Sequence, residues 1–222
     1  MMALSKAPVP VIYVGPSLSQ EEVARFFSPI LADIRPPIRR NDLDYLPQST
    51  KVVGIIDGVF HANLAVTPRE ILKALRRGLR IIGSSSMGAL RAAELNPYGM
   101  EGIGTIYKMY ASGEINSDAE VALIFNPNTL RSLSEPLVNI RYGLKCAYQD
   151  RVLTALERDT LLSIAKNLYY PELNYPMLLK QAQVLIAPNT IECFRAYVQK
   201  NLTALDLKRS DAIQLIEYIK KL

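Results

Sequence analysis

Histidine and cysteine, which bind metals or form disulfides, are scarce in this 222-residue sequence, with one histidine and two cysteines. Tryptophan is absent. Cys146 and Cys193 lie far apart, neither belongs to a CxxC pair, and His61 is the single histidine. Protein metal sites usually take several such side chains. The sequence therefore predicts no metal site, and a disulfide is not expected in a reducing compartment.

Long apolar runs are also missing. No stretch approaches the ~20 apolar residues that span a bilayer, and the first residues lack a charged segment followed by a long apolar core. We therefore expect a cytoplasmic protein with no membrane partner. The net charge is +5, but the basic residues are scattered and do not alternate with aromatic ones. A basic face could attract an acidic partner, whereas a nucleic-acid partner is not expected.

Three short apolar runs predict β-strands in a chain whose composition, 49% hydrophobic and 21% charged, is that of a folded globular protein. The runs are VPVIYVG (9–15), KVVGIIDG (51–58) and LRIIGS (79–84). Because they are apolar at consecutive positions, the strands are expected to be buried on both faces, as in a parallel sheet.

Helix signals follow two of these runs. Ser19 and Glu22 match the capping box, in which a hydroxyl and a glutamate satisfy free backbone N–H groups at a helix start. Thr67 and Glu70 form a second box, with Pro68 at the first helical position. The second helix would join two strands in a right-handed βαβ unit.

From about Asn126 onward, apolar residues recur at helical spacing and no strand pattern remains. The predicted fold class is therefore α/β, with a mostly parallel sheet flanked by helices and a helical C-terminal region. We place the α/β core at residues 1–125 and the helical region at residues 126–222.

Polar residues follow the predicted strands where those strands end. These segments are Gly15-Pro16-Ser17, Asp57-Gly58 and the stretch from Gly83 to Gly88, and PPIRRND (36–42) follows a short strand expected near residues 32–34. Parallel strands end at a common edge, where open α/β sheets bind their ligands. Hydroxyls, carboxylates and guanidiniums should therefore converge there.

The stretch GSSSMG (83–88) admits three interpretations. One serine could cap the following helix, the turn could bind an anion, or a serine could be a nucleophile on a sharp strand-to-helix turn. Ser84-x-Ser86-x-Gly88 resembles the G-x-S-x-G nucleophile elbow with serine at the first glycine. This spacing favours Ser86 as the nucleophile.

Other side chains near this edge have ordinary and functional interpretations. His61 could accept a serine proton or lie unused on the surface. Asp57 could orient a base or only form a turn, and Arg91 with Glu94 could be a surface ion pair. Arg69 begins a helix at the same edge.

Several stretches resemble one family, the TfuA-like proteins. The most specific are GIIDGVF (54–60) and GSSSMGALRAAEL (83–95), with YGMEGIG (98–104) and DAEVAL (118–123) beside them. The resemblance extends over nearly the whole chain, through GPSL (15–18), PPIRRNDL (36–43), LSEPLVNIR (133–141) and KRSDA (208–212).

The resemblance implies a partner of YcaO proteins, which activate peptide amides with ATP, in backbone thioamidation of peptides. It implies sulfide supply by hydrolysis of a thiocarboxylated, ubiquitin-like (ThiS-like) sulfur-carrier protein, with the peptide substrate reached through YcaO. It further implies a hydrolase-like serine and lysine pair, and no cofactor. The alternative is a non-catalytic adaptor that binds YcaO and its peptide. A small-molecule hydrolase unrelated to sulfur is a third possibility.

The expected lysine is replaced in this sequence. The family's helix start His-Lys-Glu-Ile-Leu reads Pro68-Arg69-Glu70-Ile71-Leu72 here. The other basic position near this edge, in the loop PPIRRND, is also an arginine, Arg39. A guanidinium stays protonated and cannot act as a base. Either His61 serves as the base, or Arg69 only stabilises charge, or hydrolysis has been lost and binding kept.

Nine residues form the predicted site. The catalytic ones are Ser86, Arg69, Asp57 and Ser17, and the substrate-binding ones are Arg39, Ser85, Gly88, Arg91 and Glu94.

Overall fold

A computed structural model describes residues 9–28, 31–60 and 63–222. They form two compact units, one made of the chain up to Glu114 together with Asp211–Leu222, and the other of Ile115–Ser210. The first unit is α/β and the second is helical, as the fold-class prediction states. The C-terminal helix contributes to the first unit, which no local sequence pattern indicates.

A five-stranded parallel sheet forms the centre of the first unit, in the order β2-β1-β3-β4-β5. The four strands expected from the sequence are confirmed. The fifth was not predicted, because its sequence EGI has no apolar run. The strands are β1 (Val11–Tyr13), β2 (Asp33–Arg35), β3 (Val52–Ile55), β4 (Arg80–Ser84) and β5 (Glu101–Ile103).

Both faces of the sheet are covered, which explains the continuous apolar runs. Successive residues of β1, such as Val11 and Ile12, point into two different apolar clusters. Helices α2 (Pro68–Arg76) and α3 (Met87–Leu95) cover one face, and α1 (Gln20–Phe27) covers the other together with the C-terminal helix α9 (Leu207–Ile219). Helix α4 (Thr105–Ala111) follows β5.

The two predicted capping boxes are both present. At α1, the Ser19 hydroxyl accepts from the Glu22 N–H and the Glu22 carboxylate accepts from the Ser19 N–H. At α2, Thr67 and Glu70 make the same pair of bonds. Each box fixes where its helix starts, so the polar loops before these helices have defined ends.

The second unit has its own apolar core, built from helices at the spacing that the sequence indicates. Its largest fully buried side chain is Phe194. No helix within the described ranges is long and apolar enough to cross a membrane. The helices are α5 (Leu137–Gln149), α6 (Ala155–Asn167), α7 (Tyr175–Ala182) and α8 (Pro188–Leu205).

Candidate functional site

The carboxyl ends of β1 and β3 lie side by side where the strand order reverses. In a 2-1-3-4-5 sheet, the chain leaves β1 toward β2 and leaves β3 toward β4, in opposite directions. Such a switch point opens a crevice between the two loops, and open α/β sheets bind ligands there. Here the two loops carry Gly15-Pro16-Ser17 and Asp57-Gly58, so the expected convergence of these loops is confirmed.

Asp57 is the centre of this edge. Its Oδ2 atom accepts the backbone N–H groups of Gly15 at 2.8 Å and Ser17 at 3.0 Å, and its Oδ1 atom accepts the Ser17 hydroxyl at 2.6 Å. The residue is only 2% exposed. A buried carboxylate is costly unless it is hydrogen-bonded, and these bonds tie the loop after β1 to the end of β3.

Ser85 extends the network to the serine turn. Its hydroxyl donates to the Ser17 Oγ atom at 3.0 Å, so a chain of hydroxyl donors runs from Ser85 through Ser17 to Asp57. Ser85 also has a φ of 65°. That conformation costs roughly 1–2 kcal/mol in a residue other than glycine, and such strain is concentrated at functional turns.

The other two serines of the turn differ from Ser85. The Ser84 hydroxyl donates to the backbone oxygen of Asp211 at 2.8 Å. Ser86 is the N-cap residue of α3, but its side chain makes no capping bond, and its hydroxyl has no partner elsewhere in ranges 9–28, 31–60 and 63–222. Simple capping therefore does not explain the turn.

Two glycines bring α3 onto the sheet. A Cβ atom on Gly88 would lie 1.8 Å from the Ile55 carbonyl oxygen, and one on Gly83 would lie 2.1 Å from the Gly88 carbonyl oxygen. The Gly88 N–H donates to the Ile56 carbonyl, whereas the Met87 N–H finds no acceptor in the described chain. One donor is thus left at the positive end of α3, where an anion is stabilised.

The predicted basic residues are not joined to this network. The Arg91 Nε atom donates to the Val66 carbonyl at 3.1 Å, and its Nη1 atom pairs with Glu94 at 2.7 Å, as the surface ion-pair interpretation expected. Arg39 and Arg69 are exposed. Within the described residues, no hydrogen bond or ion pair joins these three guanidiniums to Asp57 or the serines.

A lysine or histidine partner for the serines is likewise missing from the part of the chain that the structure describes. Lys73 pairs with Asp44 at 2.8 Å, and its side chain is 61% exposed. Lys51 precedes β3, at the amino end of the strand and away from the site edge. His61, one of the possible bases, lies outside the described residues.

Asp211 is a residue next to the site that sequence reasoning did not single out. Its carboxylate accepts the N–H groups of Thr105 at 2.9 Å and Ile106 at 2.7 Å, at the start of α4. Gly104 precedes them with a φ of 97°, and a Cβ atom there would lie 2.4 Å from the Asp211 Cγ atom. The quoted stretch KRSDA contains this aspartate, but its partners are too distant in sequence for any spacing pattern to reveal.

Asp211 gives the protein a testable pH dependence. Burial raises its pKa to about 6, against the opposite effects of the Ile106 and Thr105 N–H groups and of Lys108. The folded state therefore binds this proton more tightly than the unfolded state, whose Asp pKa is ~3.9. Stability from this group is fully present below pH ~4 and is lost as the pH rises through about 6.

The loss should amount to roughly 3 kcal/mol, since one pKa unit corresponds to ~1.4 kcal/mol. We expect the difference between the urea unfolding free energies of wild type and Asp211→Asn to change by this amount between pH ~3 and pH ~7. The asparagine variant has no titrating group at this position, so other carboxylates cancel in the difference. A flat difference curve would contradict the assignment.

The geometry defines a class of protein: a doubly wound α/β unit with a strained, buried polar turn at its switch point. The family model for TfuA-like proteins matches residues 57–174, more than half of the 222-residue sequence, and this chain therefore belongs to the TfuA-like family. The match includes the serine turn and three of the other quoted stretches. No curated protein matches the chain significantly.

Membership of the TfuA-like family suggests a role in YcaO-associated thioamidation. The family is associated with YcaO-type systems. The resemblance noted in the sequence is thereby confirmed at the level of the family.

Proposed function

We propose that this protein supplies sulfide for YcaO-dependent peptide thioamidation, by hydrolysing the C-terminal thiocarboxylate of a ThiS-like sulfur-carrier protein at the serine turn. YcaO and, through it, the peptide substrate are the other partners. The single observation that carries the proposal is the hydroxyl chain from Ser85 through Ser17 to the buried Asp57 at the switch point.

A serine hydroxyl is a weak nucleophile until a neighbouring group accepts its proton. Ser85 donates to Ser17, and Ser17 donates to Asp57. Proton transfer along both bonds would protonate the Asp57 carboxylate and leave the negative charge on the Ser85 oxygen. Ser86 has no such acceptor within the described chain. The spacing pattern favours Ser86 and the hydrogen bonds favour Ser85; we propose Ser85 as the attacking residue.

The reaction then runs in two steps. The Ser85 oxygen bonds to the thioacid carbonyl carbon, the carbon–sulfur bond breaks, and sulfide leaves with the proton that the serine gave up. Water next attacks the acyl-serine, releases the carrier as an ordinary carboxylate and restores the hydroxyl. The Met87 N–H and the positive end of α3 would stabilise the oxyanion of each tetrahedral intermediate.

The remaining predicted residues have supporting roles in this proposal. Gly88 holds the start of α3 close to the carbonyl groups at the end of β3. Arg39, Arg69 and the Arg91–Glu94 pair belong to elements that border the switch-point loops, and we propose that they contact the carrier or substrate rather than the reacting atoms. Arg69 is exposed at the start of α2 and cannot act as a base.

Burial of the turn favours a second candidate function. Ser85 is 0% exposed and Ser86 only 2% exposed, so a carrier's C-terminus reaches them only if the loops open. A non-catalytic adaptor that binds YcaO and its peptide needs no such opening. In that role the Asp57 network would only fix the loops that the partner contacts.

Sulfide release separates the two functions. The purified protein, without YcaO, should release sulfide from a thiocarboxylated ThiS-like carrier in repeated turnovers, and the same carrier with an ordinary C-terminal carboxylate is the control. Release no faster than the uncatalysed rate, with an increase in the affinity of YcaO for its peptide, would reject hydrolysis and leave the adaptor function.

A further inference from the structure

The helical unit contains a cavity of about 380 Å³ that the proposed function does not use. All of its lining residues belong to the unit Ile115–Ser210, and none belongs to the unit that contains the serine turn. Its volume lies in the range of small-molecule sites, ~300–1,000 Å³. The lining residues are Glu135, Tyr175, Leu202, Thr203, Leu205, Asp206 and Arg209.

Tyr175 is the unusual member of this lining. Its hydroxyl oxygen is fully shielded from solvent and has no hydrogen-bond partner in the described chain. Burial, followed by the nearby Glu135 carboxylate, raises the pKa of this hydroxyl, so it is neutral and can both donate and accept. A buried hydroxyl without a partner destabilises the folded protein, so its retention needs an explanation.

Gly143 adds a second local cost at the same place. It lies in the interior of α5, where glycine is unfavourable relative to alanine. A Cβ atom at this position would lie 2.3 Å from the Tyr175 hydroxyl oxygen. The helix therefore contains a glycine where the hydroxyl needs the space, although the hydroxyl gains no hydrogen bond from the protein there. Residues that are locally unfavourable, such as a glycine inside a helix or a buried hydroxyl without a partner, are concentrated at functional sites.

Two carboxylates of the cavity are each bonded through one oxygen. The Asn139 side-chain N–H groups donate to Glu135 Oε1, 2.8 Å from Nδ2, and to Asp206 Oδ1, 3.0 Å from Nδ2. The Arg209 N–H also donates to Asp206 Oδ1. Within the described residues, Glu135 Oε2 and Asp206 Oδ2 have no protein donor. Burial raises the pKa of Glu135, as expected for a carboxyl that water does not fully solvate.

We infer that this cavity binds the primary ammonium group of a small, amino-acid-sized ligand. An ammonium has three donors and no acceptor, which matches the two carboxylate oxygens and the Tyr175 hydroxyl. Arg209 lines the cavity, and Lys208 is close enough to act electrostatically on Glu135. The Lys208 Nζ atom donates to the Val121 carbonyl. Because these two cations offset the charge of the two carboxylates, we expect the site to select its ligand by the arrangement of hydrogen-bond donors rather than by net charge. A metal is not the ligand that these oxygens suggest, because no cluster of metal-ligating side chains occurs in the described chain.

Titration of the full chain with n-butylammonium, followed by NMR or calorimetry, tests the inference. We expect saturable binding, and about tenfold weaker binding to Tyr175→Phe and to Glu135→Gln, the loss expected for one hydrogen bond to a charged group. The neutral isostere n-butanol should not bind. A second titration uses a blocked lysine peptide. If the peptide binds as tightly as n-butylammonium, the natural ligand is the lysine side chain of a partner protein. If the peptide binds more weakly, the natural ligand is a free small amine.

Thermal unfolding of Tyr175→Phe gives a second readout that a merely structural tyrosine would not produce. The phenylalanine removes a hydroxyl without a partner, so Tm should rise in the absence of ligand while binding weakens. A fall in Tm shows that the hydroxyl is satisfied, for example by a buried water, and overturns the inference. Equal binding of n-butanol and n-butylammonium, or no binding of either, overturns it as well.

Discussion

Replacing Ser85 with alanine is expected to lower the rate of sulfide release on the order of 10³-fold, whereas Ser86→Ala should change it less than tenfold. Ser85 is the serine whose hydroxyl donates into the chain that ends at Asp57, and removal of a nucleophile leaves only binding and oxyanion stabilisation. The measurement is the initial rate with a saturating thiocarboxylated carrier, so that weaker binding does not imitate loss of chemistry.

Ser85→Gly is the matched control for folding. Glycine adopts a φ of 65° without strain, which offsets the loss of the Ser85–Ser17 hydrogen bond, so this variant should be close to wild type in urea unfolding. It should nevertheless release sulfide as slowly as Ser85→Ala. The reverse pattern, with Ser86→Ala inactive and Ser85→Ala active, would show that the elbow spacing identified the nucleophile and that the Ser85 hydroxyl only ties the loops together.

The largest expected change in stability is that of Gly88→Ala, about 3 kcal/mol of destabilisation or more. The added Cβ atom would lie 1.8 Å from the Ile55 carbonyl oxygen, which is a backbone atom that cannot rotate away. The start of α3 would have to move off the sheet, and the serine turn would move with it. We therefore expect a lower urea midpoint and loss of sulfide release in the fraction that stays folded.

Gly113→Ala is the appropriate comparison for this prediction. Gly113 has a φ of 77° and open space around it, so alanine there has the conformational penalty of roughly 1–2 kcal/mol but no clash. Similar losses in the two variants would show that close approach of helix and sheet is not what Gly88 provides.

Local patterns predicted the parts of the fold that local forces determine. The capping boxes at Ser19 and Thr67 and the apolar runs of β1, β3 and β4 are visible within a few residues. Each box joins residues only three apart, and each run is apolar at consecutive positions. Strand β5 has no apolar run to reveal it, and the return of α9 to the sheet depends on partners far away in sequence. Gly54 is an example: a Cβ atom there would lie 2.7 Å from Ile219, which no spacing pattern reveals.

The position of the candidate site was predictable from the sequence, but the hydrogen bonds among its residues were not. Parallel strands place their carboxyl ends together, so the loops at Ser17, Asp57 and Ser84–Ser86 could be assigned to one edge. Which serine joins Asp57 depends on where β4 ends and where the backbone becomes left-handed, and three identical side chains in a row carry no signal for that. The hydrogen bonds of the turn connect Ser85 to Asp57 through Ser17, one residue before the serine that the elbow spacing favours.

Trapping of the acyl-serine tests the central claim most directly. The protein is mixed with stoichiometric thiocarboxylated carrier, quenched in acid at successive short times, and its intact and peptide masses are measured. The account predicts a transient adduct with the mass of the carrier less hydrogen sulfide, located at Ser85 and absent from Ser85→Ala. Sulfide release that proceeds without an adduct and is equally fast in Ser85→Ala would contradict it.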